Sequence, residues 1–258
     1  MNAPVQPVTS KDNPALVRLR KLAADPGAYR KLGRVWVEGD HLLRAARQRG
    51  WRLDLVVATE AAMQDPALAA LVAAAERALV VPAALFKGIS GLESPAQIGA
   101  ELLLPEMPAL DVTAASVVLD RLQDAGNVGA ILRSAAAFGV RQVLALKGTA
   151  GLWSPKVLRA GQGAHFGLRL IEGLAVADLQ SLQTPLVATS SHTEHQVHRV
   201  ALPRPCAWVM GHEGQGVSAE LMSRCALTVG IPQPGGEESL NVAAAAAICL
   251  YESHRQQA

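Results

Sequence analysis

Five short apolar runs, ASVVLDRL, QVLALKG, PLVATSS, CAWVMG and LTVGIP, recur through the second half of the chain, with helical stretches between them. Strands that are apolar along their length and separated by helices imply a mostly parallel sheet with helices on both faces, because each strand must bury both of its sides. Ligands of such sheets bind beyond the carboxyl ends of the strands. The loops after Leu119, Thr189, Met210 and Ile231 are therefore where chemistry is expected.

The first half reads differently. Helical spacing runs over residues 16–29, and GRVWVEGDHLLRAARQRG reads as a strand, a turn at Gly39 and a basic helix ending at Gly50. A strand over residues 53–58, an Ala-rich helix, a strand over residues 78–81 and a looser segment, FKGISGLESPAQIG, complete a smaller α/β unit over residues 1–105. The Pro-bearing LLLPEMPALDVT connects it to the second unit, residues 106–258. Charge divides along the same line. Residues 1–60 hold eleven Lys or Arg against six Asp or Glu, although the whole chain carries only +2. Arg18, Arg20, Lys21, Arg30, Lys31 and Arg34 belong to this basic quarter, which suits a polyanion such as RNA and equally suits a solvated helix face.

Other classes are disfavoured. No apolar run reaches the ~18–20 residues of a membrane span, and the opening MNAPVQPVTSKDN has no basic patch followed by an apolar core, so a soluble cytoplasmic protein is expected. Cys206, Cys225 and Cys249 form no C-x-x-C pair and read as reduced core thiols. His192, His195 and His198 recur every third residue, but within the polar stretch SSHTEHQVHR, which reads as a loop; no metal is expected.

Three loops carry the polar residues. In DRLQDAGNVGAILRSAAAFGV, Val128, Ile131, Leu132, Ala135 and Phe138 form one helical stripe, Gly139 is placed to end the helix, and Arg133 projects from the other side. Arg133 reads either as a solvent-facing arginine or as a site residue, and Asn127 just ahead of the stripe could serve as the cap. In VMGHEGQGVS, Gly211 and Gly216 have P-loop spacing and Ser218 fits, yet Val217 stands where the phosphate-binding lysine belongs, and Glu213 would repel phosphate. In IPQPGGEESLNVAAAAAICLYE a strand gives way to a Pro/Gly turn and an Ala-rich helix, for which Ser239 resembles the N-cap, with Asn241 in the first turn.

In this order, N-x-G-A-I-x-R at residues 127–133, G-x-E-G-x-G at residues 211–216 and E-S-L-N at residues 238–241 resemble the signature of the SpoU-type RNA ribose 2′-O-methyltransferases of the SPOUT superfamily. The N-terminal unit, with SKDNP and VEG, is similar to that family's substrate-binding domain. The resemblance implies a deep trefoil knot in the C-terminal unit, S-adenosylmethionine held by Gly211, Ile231 and Leu240 with Thr189 closing the adenine side, and a homodimer that uses the Ala-rich helix. By the same match, Arg133, Asn127, Glu213, Ser239 and Asn241 are the catalytic set. Arg133 is assigned to phosphate or the developing 2′ oxyanion, Glu213 to fixing Arg133 or substrate, Asn127 and Asn241 to orienting loops and ribose, and Ser239 to a phosphate or a cap. Gly161, Gln162, His212 and Gln233 depart from the usual pattern. The rival reading is a knotted RNA-binding protein that lacks the reaction. Structured RNA, rRNA in preference to tRNA, is the expected partner, and few aromatics mean that phosphate and shape contacts should dominate.

Overall fold

Pro26 and Gly27 divide the helix expected over residues 16–29 into two in the computed structural model, which describes residues 4–190, 192–235 and 239–256. Proline cannot donate within a helix, and the Asp25 carboxylate accepts the Gly27 N–H (2.8 Å) to set the turn. The chain forms two compact units, residues 4–106 with Trp153–Phe166, and Met107–Leu152 with residues 167–256.

The first unit contains β1 (Val5–Pro7), α1 (Pro14–Ala24), α2 (Ala28–Leu32), β2 (Arg34–Glu38), α3 (Asp40–Gln48), β3 (Leu55–Thr59), α4 (Pro66–Ala73), β4 (Ala78–Val81), α5 (Ala83–Lys87) and β5 (Ile98–Leu103). Its sheet runs β1-β4-β3-β5-β2; β1, β4 and β3 are parallel, and β5 is antiparallel to both neighbours. Strand β5 was not legible as a strand, because IGAELL contains a glycine and a glutamate. Both are explained by packing. A Cβ on Gly99 would lie 2.3 Å from the Trp36 ring, so the position must be empty for the indole to seat. Glu101 is fully buried, with Arg18 donating two hydrogen bonds to it at 2.6 and 2.8 Å. One face of the sheet packs Leu16, Leu19 and Leu22 of α1 on Trp36, Leu55 and Val57; the other packs Leu42, Leu43 and Ala46 of α3 on Val35, Val37 and Val56.

The second unit contains β6 (Ser116–Leu119), α6 (Ala125–Ala137), β7 (Gln142–Leu146), β8 (Arg169–Leu174), β9 (Leu186–Thr189), β10 (Ala207–Met210), α8 (Ala219–Met222), β11 (Leu227–Val229) and α9 (Val242–Arg255); α7 (Pro155–Gly161) belongs to the first unit. Its six strands run β11-β9-β10-β6-β7-β8, every pair parallel. Side chains alternate across the sheet. Val209 and Ala207 of β10 join the core that holds Leu221 of α8, while Trp208 between them donates from Nε1 to Ser253 Oγ of α9 (2.8 Å). Helix α6 buries Val128, Ile131, Leu132 and Ala135 as its stripe predicts, and Gly139 follows its end with a left-handed φ of 79°.

Candidate active site

Because all six strands point the same way, their carboxyl ends share one edge. Met210 of β10 is paired with Leu119 of β6, and Thr189 of β9 with Val229 of β11. The next residues continue the ladder: Asp120 N–H donates to Met210 O (2.9 Å) and Ser190 N–H to Val229 O (3.0 Å). The loops expected to carry chemistry are thus brought together by strand direction alone.

The segment VMGHEGQGVS leaves this edge and turns back on itself. His212 N–H donates to Gly216 O (3.0 Å), and Gly216 N–H donates to His212 O (2.8 Å), closing a small loop with Glu213 near its tip. A Cβ on Gly211 would lie 2.3 Å from both Gly216 C and Val217 N, so the two passes of backbone can meet only at glycine. Asp120 ties this loop to β6. Its buried carboxylate accepts Ser218 N–H (2.6 Å) and Arg121 Nε (3.0 Å), and Arg121 Nη1 reaches Gln215 Oε1 (3.0 Å) from a left-handed backbone at φ 61°. The motif residues do not include Asp120 or Arg121. The available signal was position, since both sit directly after an apolar strand at the ligand-binding edge.

A directional chain of hydrogen bonds joins the three motif loops. Asn241 Oδ1 accepts the Ala243 and Ala244 N–H groups at the start of α9 (2.9 and 3.3 Å). Its Nδ2 donates to Asn127 Oδ1 (3.0 Å), and Asn127 Nδ2 donates to Glu213 Oε1 (3.3 Å). Glu213 also accepts from the Asp124 N–H (3.3 Å) and the Gln123 N–H (3.5 Å). A carboxylate only accepts, so it fixes the orientation of both amides: each must turn its NH2 toward the glutamate. Burial works against the charge of Glu213, but hydrogen bonds from its own N–H, Asn127, Asp124 and Gln123 outweigh it and hold the carboxyl below its ordinary range.

Several expectations are corrected by this geometry. The cap of α6 is Asp124, which accepts Asn127 N–H at 2.7 Å, and Asn127 lies inside the first turn. The cap of α9 is Asn241 and not Ser239, because the helix begins at Val242. Glu213 does not fix Arg133: its partners are Asn127 and the backbone N–H groups, and Arg133 lies six residues along α6, ~9 Å further on and about 120° around the helix. Arg133 is exposed, with no polar partner among the described residues.

Thr189 and Ile231 are half-buried, Gly211 is buried, and Ser239 and Leu240 are exposed. Glu238, part of the E-S-L-N motif, lies outside the described residues. Two buried polar atoms near the edge have no hydrogen-bond partner among the described residues, Ser218 Oγ and Gln233 Oε1. His192, His195 and His198 lie between β9 and β10, where the His195 carbonyl accepts Gly230 N–H (2.7 Å). Among the described residues, no group of three His, Cys, Asp or Glu is placed to hold a metal.

Residues 114–251 match the SpoU rRNA Methylase family, and residues 13–100 match the MRM3-like substrate binding domain. A protein of Synechocystis sp. described as an uncharacterized tRNA/rRNA methyltransferase is 32% identical over 267 residues, covering 100% of this chain and 96% of its own. The 23S rRNA (guanosine(2553)-2'-O)-methyltransferase of Bacillus subtilis is 34% identical over 170 residues, 64% of this chain and 68% of its own. Among solved structures, the AdoMet-bound rRNA methyltransferase of Sinorhizobium meliloti superposes with a TM-score of 0.83 at 26% identity, over 98% of this chain and 99% of that one. Such neighbours have the knotted SPOUT fold, so the knot implied by the motifs comes with the shared architecture. With its three motif loops gathered at one sheet edge and more than half its length inside the family match, the chain belongs to the SpoU rRNA methylase family.

Proposed function

We propose that this chain is an RNA (ribose-2′-O)-methyltransferase that uses S-adenosylmethionine and acts on structured RNA, ribosomal RNA in preference to tRNA. The observation that carries the reading is the Asn241–Asn127–Glu213 chain, which locks the three motif loops together at the carboxyl edge of a parallel sheet. The residues suit the cofactor. Gln233 Oε1 is a buried acceptor in want of a donor, such as an adenine amino group, and Thr189, Gly211, Ile231 and Leu240 supply backbone groups and apolar surface around it.

When bound, S-adenosylmethionine supplies an electrophilic sulfonium methyl. The chain's own task is then to hold a ribose oxygen in line with that methyl, and orientation of this kind supports up to ~7–11 kcal/mol of barrier reduction. Asn127 and Asn241 orient the loops that bound the ribose. The Glu213 carboxylate holds them in turn, and Ser239 offers a hydroxyl to a neighbouring phosphate. Arg133 has no acceptor and no competing partner among the described residues, so it binds phosphate or stabilises the developing charge on the 2′ oxygen, whose proton is released to water.

Residues 1–105 are read as the RNA-binding domain and residues 106–258 as the methyltransferase domain. The protein is read as a cytoplasmic homodimer that uses no metal and no membrane. No helix among the described residues is long and apolar enough to cross a membrane.

Two measurements test the reading. Calorimetric titration with S-adenosylmethionine separates it from a knotted RNA-binding protein without catalysis, which would take up no heat. Methyl transfer from labelled cofactor to unmodified 23S rRNA and tRNA transcripts reports the activity and the substrate. Replacing Arg133 with Ala is expected to abolish methylation and leave cofactor affinity and thermal unfolding near wild type; wild-type turnover in that variant would sink its assignment.

A further inference from the structure

The first unit holds a cavity of about 600 Å³ on the α1 face of its sheet, where β2, β3 and β4 begin. Its solvent-accessible apolar lining is Pro4, Pro14, Ala15 and Leu32, with Leu55 and Leu79 buried beneath as part of the core, and three guanidiniums stand around it, those of Arg18, Arg34 and Arg77. Among the described residues, no carboxylate lines it. The acid behind it, Glu101, is already satisfied by the two hydrogen bonds from Arg18. Arg34 Nη1 forms an ion pair with Glu101 Oε2 at 3.6 Å, longer than a hydrogen bond, and this nitrogen is buried with no hydrogen-bond acceptor among the described residues. Arg77 is exposed and has no ion-pair partner among the described residues.

The fold does not account for this charge. Glu101 pairs with both Arg18 and Arg34 but carries one negative charge, and leaving an N–H donor buried without a hydrogen-bond acceptor is destabilising. Three guanidiniums against one carboxylate leave a concave surface with two surplus positive charges and an unmet N–H donor. That calls for an anion. The apolar wall calls for something more than a bare one, since a phosphate ion would leave Pro4, Pro14, Ala15 and Leu32 uncovered in a cavity of the size that holds organic ligands. A nucleotide satisfies both parts: the guanidinium forks take the phosphate, and the base lies on the Pro14, Ala15 and Leu32 wall and against an arginine plane.

We infer that this cavity receives one unstacked nucleotide of the RNA strand, its phosphate held by Arg34 and Arg77 and its base on the wall of Pro14, Ala15 and Leu32. The inference rests on the reading of the chain as an RNA-modifying enzyme. It also gives the basic N-terminal quarter a specific task, distinct from a diffuse field.

The test uses the full chain, an unmodified 23S rRNA transcript and binding measured across a salt series. Arg77→Gln removes an exposed group, so folding is not at risk; Arg34→Gln tests the buried donor, with thermal unfolding measured beside it. Arg47→Gln, on α3 and away from the cavity, is the charge-matched control. Each cavity variant is expected to weaken transcript binding several-fold and to lower the slope of log affinity against log salt by about 0.7–0.9, with the control changing less and S-adenosylmethionine affinity unchanged in all three. A tetraribonucleotide should compete for the site where an equal concentration of inorganic phosphate does not.

Wild-type affinity and slope in Arg77→Gln, or an equal loss in the control, overturns the cavity while leaving the enzyme reading intact. Competition by phosphate alone reduces it to an anion site and overturns the nucleotide assignment. Tight binding of AMP with unaltered transcript affinity in the variants makes it a free-nucleotide site and overturns the RNA assignment. A wild-type chain that neither binds nor methylates the transcript overturns both readings.

Discussion

At Glu213, charge and position are coupled. The carboxylate collects the Asn127 amide and the N–H groups of Gln123 and Asp124, and these contacts keep its folded-state acidity above that of an ordinary glutamate. The sign follows from linkage: a carboxyl whose pKa is lowered by folding stabilises the loop arrangement above its ordinary value, and that contribution is lost as pH falls through the lowered one. Methylation by the wild type should therefore persist below pH 4.5, the ordinary value for this group, before the acid limb sets in. Glu213→Gln places an amide NH2 among donors that need an acceptor. It should lower kcat/KM by roughly tenfold or more, as expected for the loss of a hydrogen bond to a charged group, and flatten the acid limb. A Gln variant with the wild-type rate and limb would refute the coupling. The P-loop-like spacing of Gly211 and Gly216 does not itself indicate the close approach at Gly211, which is between two passes of the loop's own backbone. Nor could the partner of Glu213 be read from sequence. Asn127 and Arg133 both lie on α6, and only the helix phase, fixed by the Asp124 cap, decides which of them faces the glutamate.

The helix starts of α6 and α9 do two jobs at once. Asn241 uses its oxygen to cap α9 and its nitrogen to hold Asn127, so one side chain links helix stability to the site. The two jobs separate by substitution. Asn241→Ala removes both, and should cost about 0.5–2 kcal/mol in denaturant unfolding along with most of the activity. Asn241→Asp keeps the capping acceptor but presents an oxygen to Asn127 Oδ1, so unfolding should stay near wild type while methylation falls. If the two variants lose activity and stability in equal proportion, the link is only a cap. The sequence pointed to Ser239 as the cap with Asn241 in the first turn; the helix begins later, at Val242, and Asn241 takes the cap. Strands β5 and β8 escape the pattern for a related reason. The runs of β6, β7, β9 and β10 are mainly apolar and carry no charge, whereas β5 and β8 carry glutamates, Glu101 paired to Arg18 and Glu172 accepting Leu152 N–H at 2.6 Å, so their pairing shows only in tertiary structure.

At the scale of the whole molecule, the parallel alternation in the second half is enough to place the motif loops at one sheet edge, but a parallel pattern does not specify strand order, and a knot is not visible in any local pattern. Assembly is likewise a matter of surface. Helix α9 buries Ala246, Cys249 and Leu250 and turns Ile248 (39% exposed) and Tyr251 (53% exposed) outward, with the Tyr251 ring edge-on to Phe138 of α6 at 5.9 Å. A second copy of the chain would cover this outward apolar surface, which is the ground for proposing the homodimer. An Ile248→Glu, Tyr251→Glu double variant places two carboxylates on that surface, and in sedimentation velocity at micromolar concentration it should run as a monomer where the wild type runs as a dimer. Both positions are exposed in the chain by itself, so thermal unfolding of the monomeric variant should change little beyond what the lost association removes. If the wild type sediments as a monomer, or if the double variant remains dimeric, this face of α9 is not the contact.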